Sequence, residues 1–172
     1  MTDPTVTNEA ETMIPLSDPV RTVRVQRRLD AEPYRVYRAW SAPEALSEWF
    51  PDRVEGSLTP GTRNTLVFPD QRVWWDVIEA DPNNRFQFRW PWLANDEWVT
   101  TATVTITPRG YGSLLTLEDG PFDLTRPGLL DAYAECMAGW EKALATLRAL
   151  VDFSVDLRGR NPSPPQTAGR ER

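Results

Sequence analysis

Leu124-Thr-Arg-Pro-Gly-Leu-Leu-Asp-Ala-Tyr-Ala-Glu-Cys-Met-Ala-Gly-Trp-Glu-Lys-Ala-Leu-Ala-Thr-Leu-Arg-Ala-Leu-Val151 is the stretch whose reading decides the fold. Within it Leu129, Tyr133, Met137, Trp140, Leu144, Leu147 and Val151 recur at steps of four and three, which marks one apolar face of a long helix. Thr125 is its expected cap, Pro127 falls near the first turn, and the helix is expected to end near Phe153. A helix with one dry face needs a surface to cover, and the chain upstream supplies strands.

Between Arg21 and Leu29, Val23, Val25, Arg27 and Leu29 alternate with Thr22, Arg24, Gln26 and Arg28, the pattern of a half-exposed strand. Two short helices come next: one from Pro33 to Trp40 with Val36, Tyr37 and Trp40 at helical spacing, and one after Pro43 carrying Leu46 and Trp49. Beyond Pro51 the period changes to two. Arg53 to Leu58, Thr62 to Phe68, Arg72 to Ala80, Arg85 to Trp90, Glu97 to Thr107 and Ser113 to Asp119 read as extended segments separated by Pro-Gly, Pro-Asp, Asp-Pro-Asn-Asn and Arg-Gly turns. The clearest is Arg85 to Trp90, where Phe86, Phe88 and Trp90 alternate with Arg85, Gln87 and Arg89. In the last strand Leu115 and Leu117 oppose Leu114, Thr116 and Glu118.

The 172 residues fit one domain over residues 21–153, flanked by polar, aperiodic tails over 1–20 and 154–172 that cannot bury enough surface to offset their ordering entropy. A formal charge of −6 with scattered basic residues excludes a nucleic-acid surface, which needs clustered Lys and Arg. No apolar run reaches the roughly 18 residues of a membrane span. The lone Cys136 and an amino end without a signal-peptide pattern lead to the expectation of a reduced, cytoplasmic protein.

Three segments carry a family resemblance. Arg28-Leu-Asp-Ala-Glu-Pro-Tyr-Arg-Val-Tyr-Arg-Ala-Trp-Ser-Ala-Pro-Glu-Ala-Leu-Ser-Glu-Trp49-Phe50, then Asp76-Val-Ile-Glu-Ala-Asp-Pro-Asn-Asn-Arg-Phe-Gln-Phe-Arg-Trp90, then Gly139-Trp140 with Leu144 and Leu147, stand in the order and spacing of one family. Together they resemble the AHSA1-like (activator of Hsp90 ATPase homologue 1-like) branch of the START/Bet v 1-like SRPBCC superfamily, over about Arg21 to Val151. The resemblance implies an α+β helix-grip fold, in which a curved antiparallel sheet of about seven strands wraps a long C-terminal helix. It also implies a hydrophobic cavity between the two. The chain departs from the family in two places. Glu55-Gly56-Ser57-Leu58-Thr59-Pro60-Gly61 replaces a glycine pair before the third strand, and Glu118 and Asp119 stand where many relatives have a histidine.

The absence of histidine excludes Ser-His-Asp and Cys-His catalysis and any His-ligated metal site. No EF-hand spacing, nucleotide-binding glycine motif or P-loop is present, so no metal and no cofactor is expected. Eight tryptophans are the compositional anomaly. Large rings serve equally as core filler and as the lining of a preformed pocket. Phe50, Trp75, Phe86, Phe88, Trp90, Leu129, Tyr133 and Met137 are the expected ligand-binding set. Strand register decides whether Asp76, Trp74, Arg72 and Arg89 face the cavity or solvent. Gly139, inside the helix, is expected to be compensated by close approach of a neighbour.

The leading expectation is binding of a small or medium hydrophobic molecule between sheet and helix. The alternatives are a cyclase-, aromatase- or hydrolase-type enzyme using Tyr133, Asp76 or an arginine, and a chaperone-associated role of the Hsp90-activating type that the family name implies. A homodimer is compatible with each.

Overall fold

The computed structural model describes residues 18–159, so most of the two expected tails lies outside the described residues. The elements are β1 (Val20–Leu29), α1 (Pro33–Ser41), α2 (Pro43–Ser47), β2 (Arg53–Glu55), β3 (Arg63–Val67), β4 (Arg72–Asp81), β5 (Arg85–Trp92), a 3-10 turn at Ala94–Asp96, β6 (Trp98–Arg109), β7 (Gly112–Asp123) and α3 (Leu129–Phe153). The strands form one antiparallel sheet in the order β1-β7-β6-β5-β4-β3-β2. Strands β2 to β7 run as a meander, and β1 returns beside β7 at the far edge. The β1-to-β2 crossover therefore spans the sheet and carries α1 and α2 with it. The fold is α+β helix-grip, with α3 packed mainly on β1 and β7. No helix among the described residues is long and apolar enough to cross a membrane.

Three boundaries differ from the sequence expectation by three residues or more, each for a local reason. Strand β2 ends at Glu55 instead of Leu58. Gly56 takes φ +132°, and a Cβ there would meet Asn64 Oδ1 at 2.1 Å. The buried Asn64 instead accepts the Leu58 N–H at 2.9 Å, and the Leu58 side chain turns into the core. At the other end of the sheet, β7 runs on past Asp119 to Asp123. Helix α3 then starts at Leu129, with Gly128 in the left-handed region at its cap position. Thr125 is not the cap, because its N–H and hydroxyl both donate to Asp123, at 3.1 and 2.7 Å.

The buried face of α3 is Leu129, Ala132, Cys136, Trp140, Ala143, Leu144, Thr146, Leu147 and Val151. Met137 is 39% exposed, contrary to the apolar stripe read from the sequence. Each step of four residues overshoots a helical turn by about 40°, so two such steps from Leu129 carry Met137 about 80° round the helix. Cys136 falls back on the axis of the buried face. The last turn of α3 is tied to the β1–α1 turn, where Asp152 Oδ1 accepts the N–H groups of Asp30 and Ala31, both at 3.0 Å.

Aromatic rings fill the space between α3 and the sheet. Trp75 and Phe88 stack with centroids 3.6 Å apart, Phe50 stacks on Trp140 at 5.3 Å, and Trp90 lies 5.3 Å from Trp140. Trp40 from α1 closes the group against Trp49 and Phe88. Each such ring pair contributes about 0.5–1.5 kcal/mol beyond the area it buries.

One acid sits inside this core. Asp119 continues the inward alternation of Leu115 and Leu117 on β7 and is fully buried. Its Oδ2 accepts Trp140 Nε1–H at 2.8 Å, Trp90 Nε1–H at 3.0 Å and the Cys136 thiol at 3.3 Å. Oδ1 accepts no hydrogen bond of ordinary length among the described residues, although the nearby Thr100 hydroxyl favours the charged form. Burial outweighs these donors and raises the Asp119 carboxyl above its usual range. Burial, followed by Asp119 itself, likewise pushes the Cys136 thiol up.

This node can be probed by pH and by thiol chemistry. An acid whose folded pKa is raised contributes stability that is complete below its unfolded pKa of 3.8 and is lost as pH rises through the folded value. In urea unfolding from mildly acid to neutral pH, the wild type should therefore lose stability relative to Asp119→Asn, by about 1.4 kcal/mol for each pH unit over which the folded and unfolded carboxyls differ in protonation. A difference that stays flat with pH would mean an ionised Asp119 in the fold. Cys136 should resist a thiol-specific disulfide reagent in native buffer and react fully once the chain is unfolded; rapid native labelling would contradict its burial.

Candidate functional site

The site begins at the end of α2. Trp49 is fixed by its indole N–H, which donates to Ala39 O at 2.9 Å, and this sets the next residue, Phe50, against Trp140. Phe50 also meets Phe68 edge-on, with centroids 5.4 Å apart at 84°. Phe68 follows directly on β3 and is held by the turn in which its N–H donates to Gln71 O at 2.8 Å. Facing these rings is a stripe of α3 with little side-chain bulk: Gly139, Ala143 and Thr146, with Lys142 beside them. Together with Asp52 and Pro69 they enclose an open cleft of about 450 Å³, within the range of small-molecule pockets.

Arg158 closes one end. Its guanidinium donates to Ser47 O at 2.9 Å, to Pro51 O at 3.0 Å and to Glu48 O, and it pairs with Asp156. These carbonyls include the orphaned acceptors at the end of α2, which an arginine is suited to satisfy. The residues after α3 thus strap back across the α2–β2 connection and form part of the cleft wall.

Of the eight residues expected to bind ligand, Phe50 lies in the wall of this cleft. Trp75, Phe86, Phe88 and Leu129 are wholly buried. Trp90 is half-buried with its N–H committed to Asp119, Tyr133 packs edge-on against Phe122 at 5.8 Å, and Met137 faces solvent. The register places Trp75 and Val77 inward, so Asp76 and Trp74 face outward. Asp76 is clasped by Arg63 through two 2.7 Å hydrogen bonds, which hold its carboxyl below the usual range, and the same Arg63 lies over the Trp74 ring at 4.3 Å. Arg72 pairs with Glu55, and Arg89 stands opposite Asp76 on the outer face. Asp76, Tyr133 and the arginines therefore do not converge on the cleft. No group of three or more His, Cys, Asp or Glu among the described residues could hold a metal.

Trp49, Phe68, Lys142, Ala143 and Arg158 belong to the cleft but not to the ligand-binding set expected from the sequence. In sequence Phe68 is legible only as a strand end, and Arg158 as part of a polar tail. Gly139 does not have the close neighbour that a helical glycine leads one to expect: a Cβ at this position would meet nothing within 4 Å beyond its chain neighbours and the helix's own backbone. For Asp119, extending the Leu115, Leu117 alternation by one step marks the position as inward.

Comparison with curated protein sequences finds no match. Among solved structures, the Mesorhizobium loti protein MLL2253 superposes with a TM-score of 0.68 at 25% identity, covering 76% of this chain and 96% of that one. The Aha1 dimer from Colwellia psychrerythraea gives a TM-score of 0.69 at 16% identity over 77% of this chain and 97% of its own. DynU16, described as a protein of the dynemicin biosynthetic locus, gives 0.68 at 24% identity over 78% of this chain and 48% of its own. The activator of Hsp90 ATPase homolog 1-like protein family matches residues 30–152, from the turn after β1 to the last turn of α3. That span covers most of the chain, which belongs to this family.

Proposed function

We propose that the protein binds a small or medium hydrophobic molecule in the cleft between α3, the end of α2 and the end of β3. The observation that carries this reading is the wall itself: two aromatic rings, Phe50 and Phe68, held edge-to-face opposite a helix stripped of bulk at Gly139 and Ala143. Such a surface is apolar, largely preformed and wide enough for a ring system or an alkyl chain. Phe50 makes the direct contact. Trp75 and Trp140 support it from behind, at 5.8 and 5.3 Å, with Phe88 stacked on Trp75 and Trp90 tilted against Trp140. Phe86, Leu129, Tyr133 and Met137 contribute to the fold around the site.

A ligand here changes the surroundings of Trp49 and, through Phe50, of Trp140, so intrinsic fluorescence reports occupancy. Titration with a panel of aromatic, polyketide-like and lipid molecules should give saturable quenching or a spectral shift for at least one class. Phe50→Ala should weaken that binding by about tenfold while far-UV circular dichroism stays native. Saturable binding that Phe50→Ala leaves untouched would place the ligand elsewhere, and a panel without any binder would remove the reading.

A further inference from the structure

The free protein gives no reason for a glycine at position 139. Glycine inside a helix is destabilising relative to alanine, chiefly through backbone entropy. Close packing usually accounts for such a residue, yet the added methyl group of alanine would meet nothing within 4 Å here beyond its chain neighbours and the helix's own backbone. Gly139 lines the cleft, so what needs the space is something that enters the cleft.

The charge around the same space is uneven. Lys142 lies three residues further along α3 on the cleft side, about 4.5 Å along the axis from Gly139. Its ammonium makes no ion pair among the described residues. The other charged groups of the wall are engaged: Arg158 by three carbonyls and Asp156, and Asp52 by an interaction of its own. The Thr146 hydroxyl is also spent, donating back to Lys142 O at 3.2 Å. Lys142 is left as a cation beside an apolar surface with no ion-pair partner among the described residues.

We propose that the cleft takes an amphipathic acid. Its flat or linear apolar body lies on Phe50 and Phe68 and crosses the bare backbone at Gly139, and its carboxylate is held by Lys142. This rests on the reading of the cleft as a ligand site and narrows it to one charge class. Glycine at 139 then trades helix stability for room at the place where the ligand body meets the helix.

The test compares three probes of the same body, 2-naphthoic acid, 2-naphthylmethanol and 2-naphthylmethylamine, by fluorescence titration and calorimetry on the full chain. The acid should bind roughly three- to tenfold more tightly than the alcohol, with the amine weakest. Lys142→Gln should bring the acid-to-alcohol ratio to about one, and Lys142→Arg should keep most of it. Gly139→Ala should raise the melting temperature by about 2–4 °C while weakening the acid. The stability gain rules out misfolding as the cause of the weaker binding. Equal affinity for acid and alcohol, or preference for the amine, would overturn the assignment of charge class while leaving the cleft as a ligand site. Binding indifferent to Gly139→Ala and Gly139→Leu would overturn the role of Gly139. If none of the three probes binds and Phe50→Ala changes no titration, the cleft reading falls together with this proposal.

Discussion

The carboxyl of Asp119 is the constraint around which the rest of the core is arranged. A buried acid is costly unless donors surround it, and here they come from three residues on two elements: Trp90 from β5, and Cys136 and Trp140 from α3. Hydrogen bonds are directional where ring packing is not. The node therefore sets the rotation and height of α3 over the sheet in a way that apolar contacts alone would leave loose. The contrast with Trp40 and Trp75 supports this. Their indole N–H groups are buried without an acceptor among the described residues, and those two rings are held by shape and stacking against their neighbours.

Fixing α3 in turn fixes the position of the cleft. Trp140 is tied to Asp119 on one edge and stacks on Phe50 with its face, so the wall of the cleft is referred back to the buried acid through a single side chain. The cleft opens beside Trp140, where Gly139, Ala143 and Thr146 face the end of α2 and Phe68. The family's combination of a curved sheet and a gripping helix is retained. Within it, large aromatics pack between α3 and the sheet, and the strap at Arg158 closes one end of the cleft on the flank.

Much of the architecture was legible because it repeats. Alternation over Arg85 to Trp90 fixes a strand with a wet and a dry face, and the steps through Leu144, Leu147 and Val151 fix a helix. The misplacements occur where the local signal is short or drifts. Met137 lies two steps of four from Leu129, enough to carry it out of the stripe, and Leu58 leaves the strand where Asn64, the β3 residue just beyond the last β2–β3 pair, accepts its N–H. Thr125 has the chemistry of a cap, but Asp123 takes both of its donors first. The site was less legible than the fold: Phe50 and Gly139 stood out, whereas Lys142, Phe68 and Arg158 look in sequence like an exposed helix charge, a strand end and a tail.

The sequence by itself determined the succession of strands and helices, the single long helix, the outward or inward sense of most strand residues and the absence of histidine chemistry, because each depends on periodicity or residue type within a short window, while the helix-grip arrangement was implied by the family resemblance. Only the tertiary structure decided that Asp119 is a buried acid held by two tryptophans, that Asp76 is a surface ion pair, and that an open cleft lies beside Gly139. These depend on which distant residues meet. Packing volume, desolvation and hydrogen-bond geometry settle that jointly across β5, β7, α2 and α3, and no local stretch of chain contains the information.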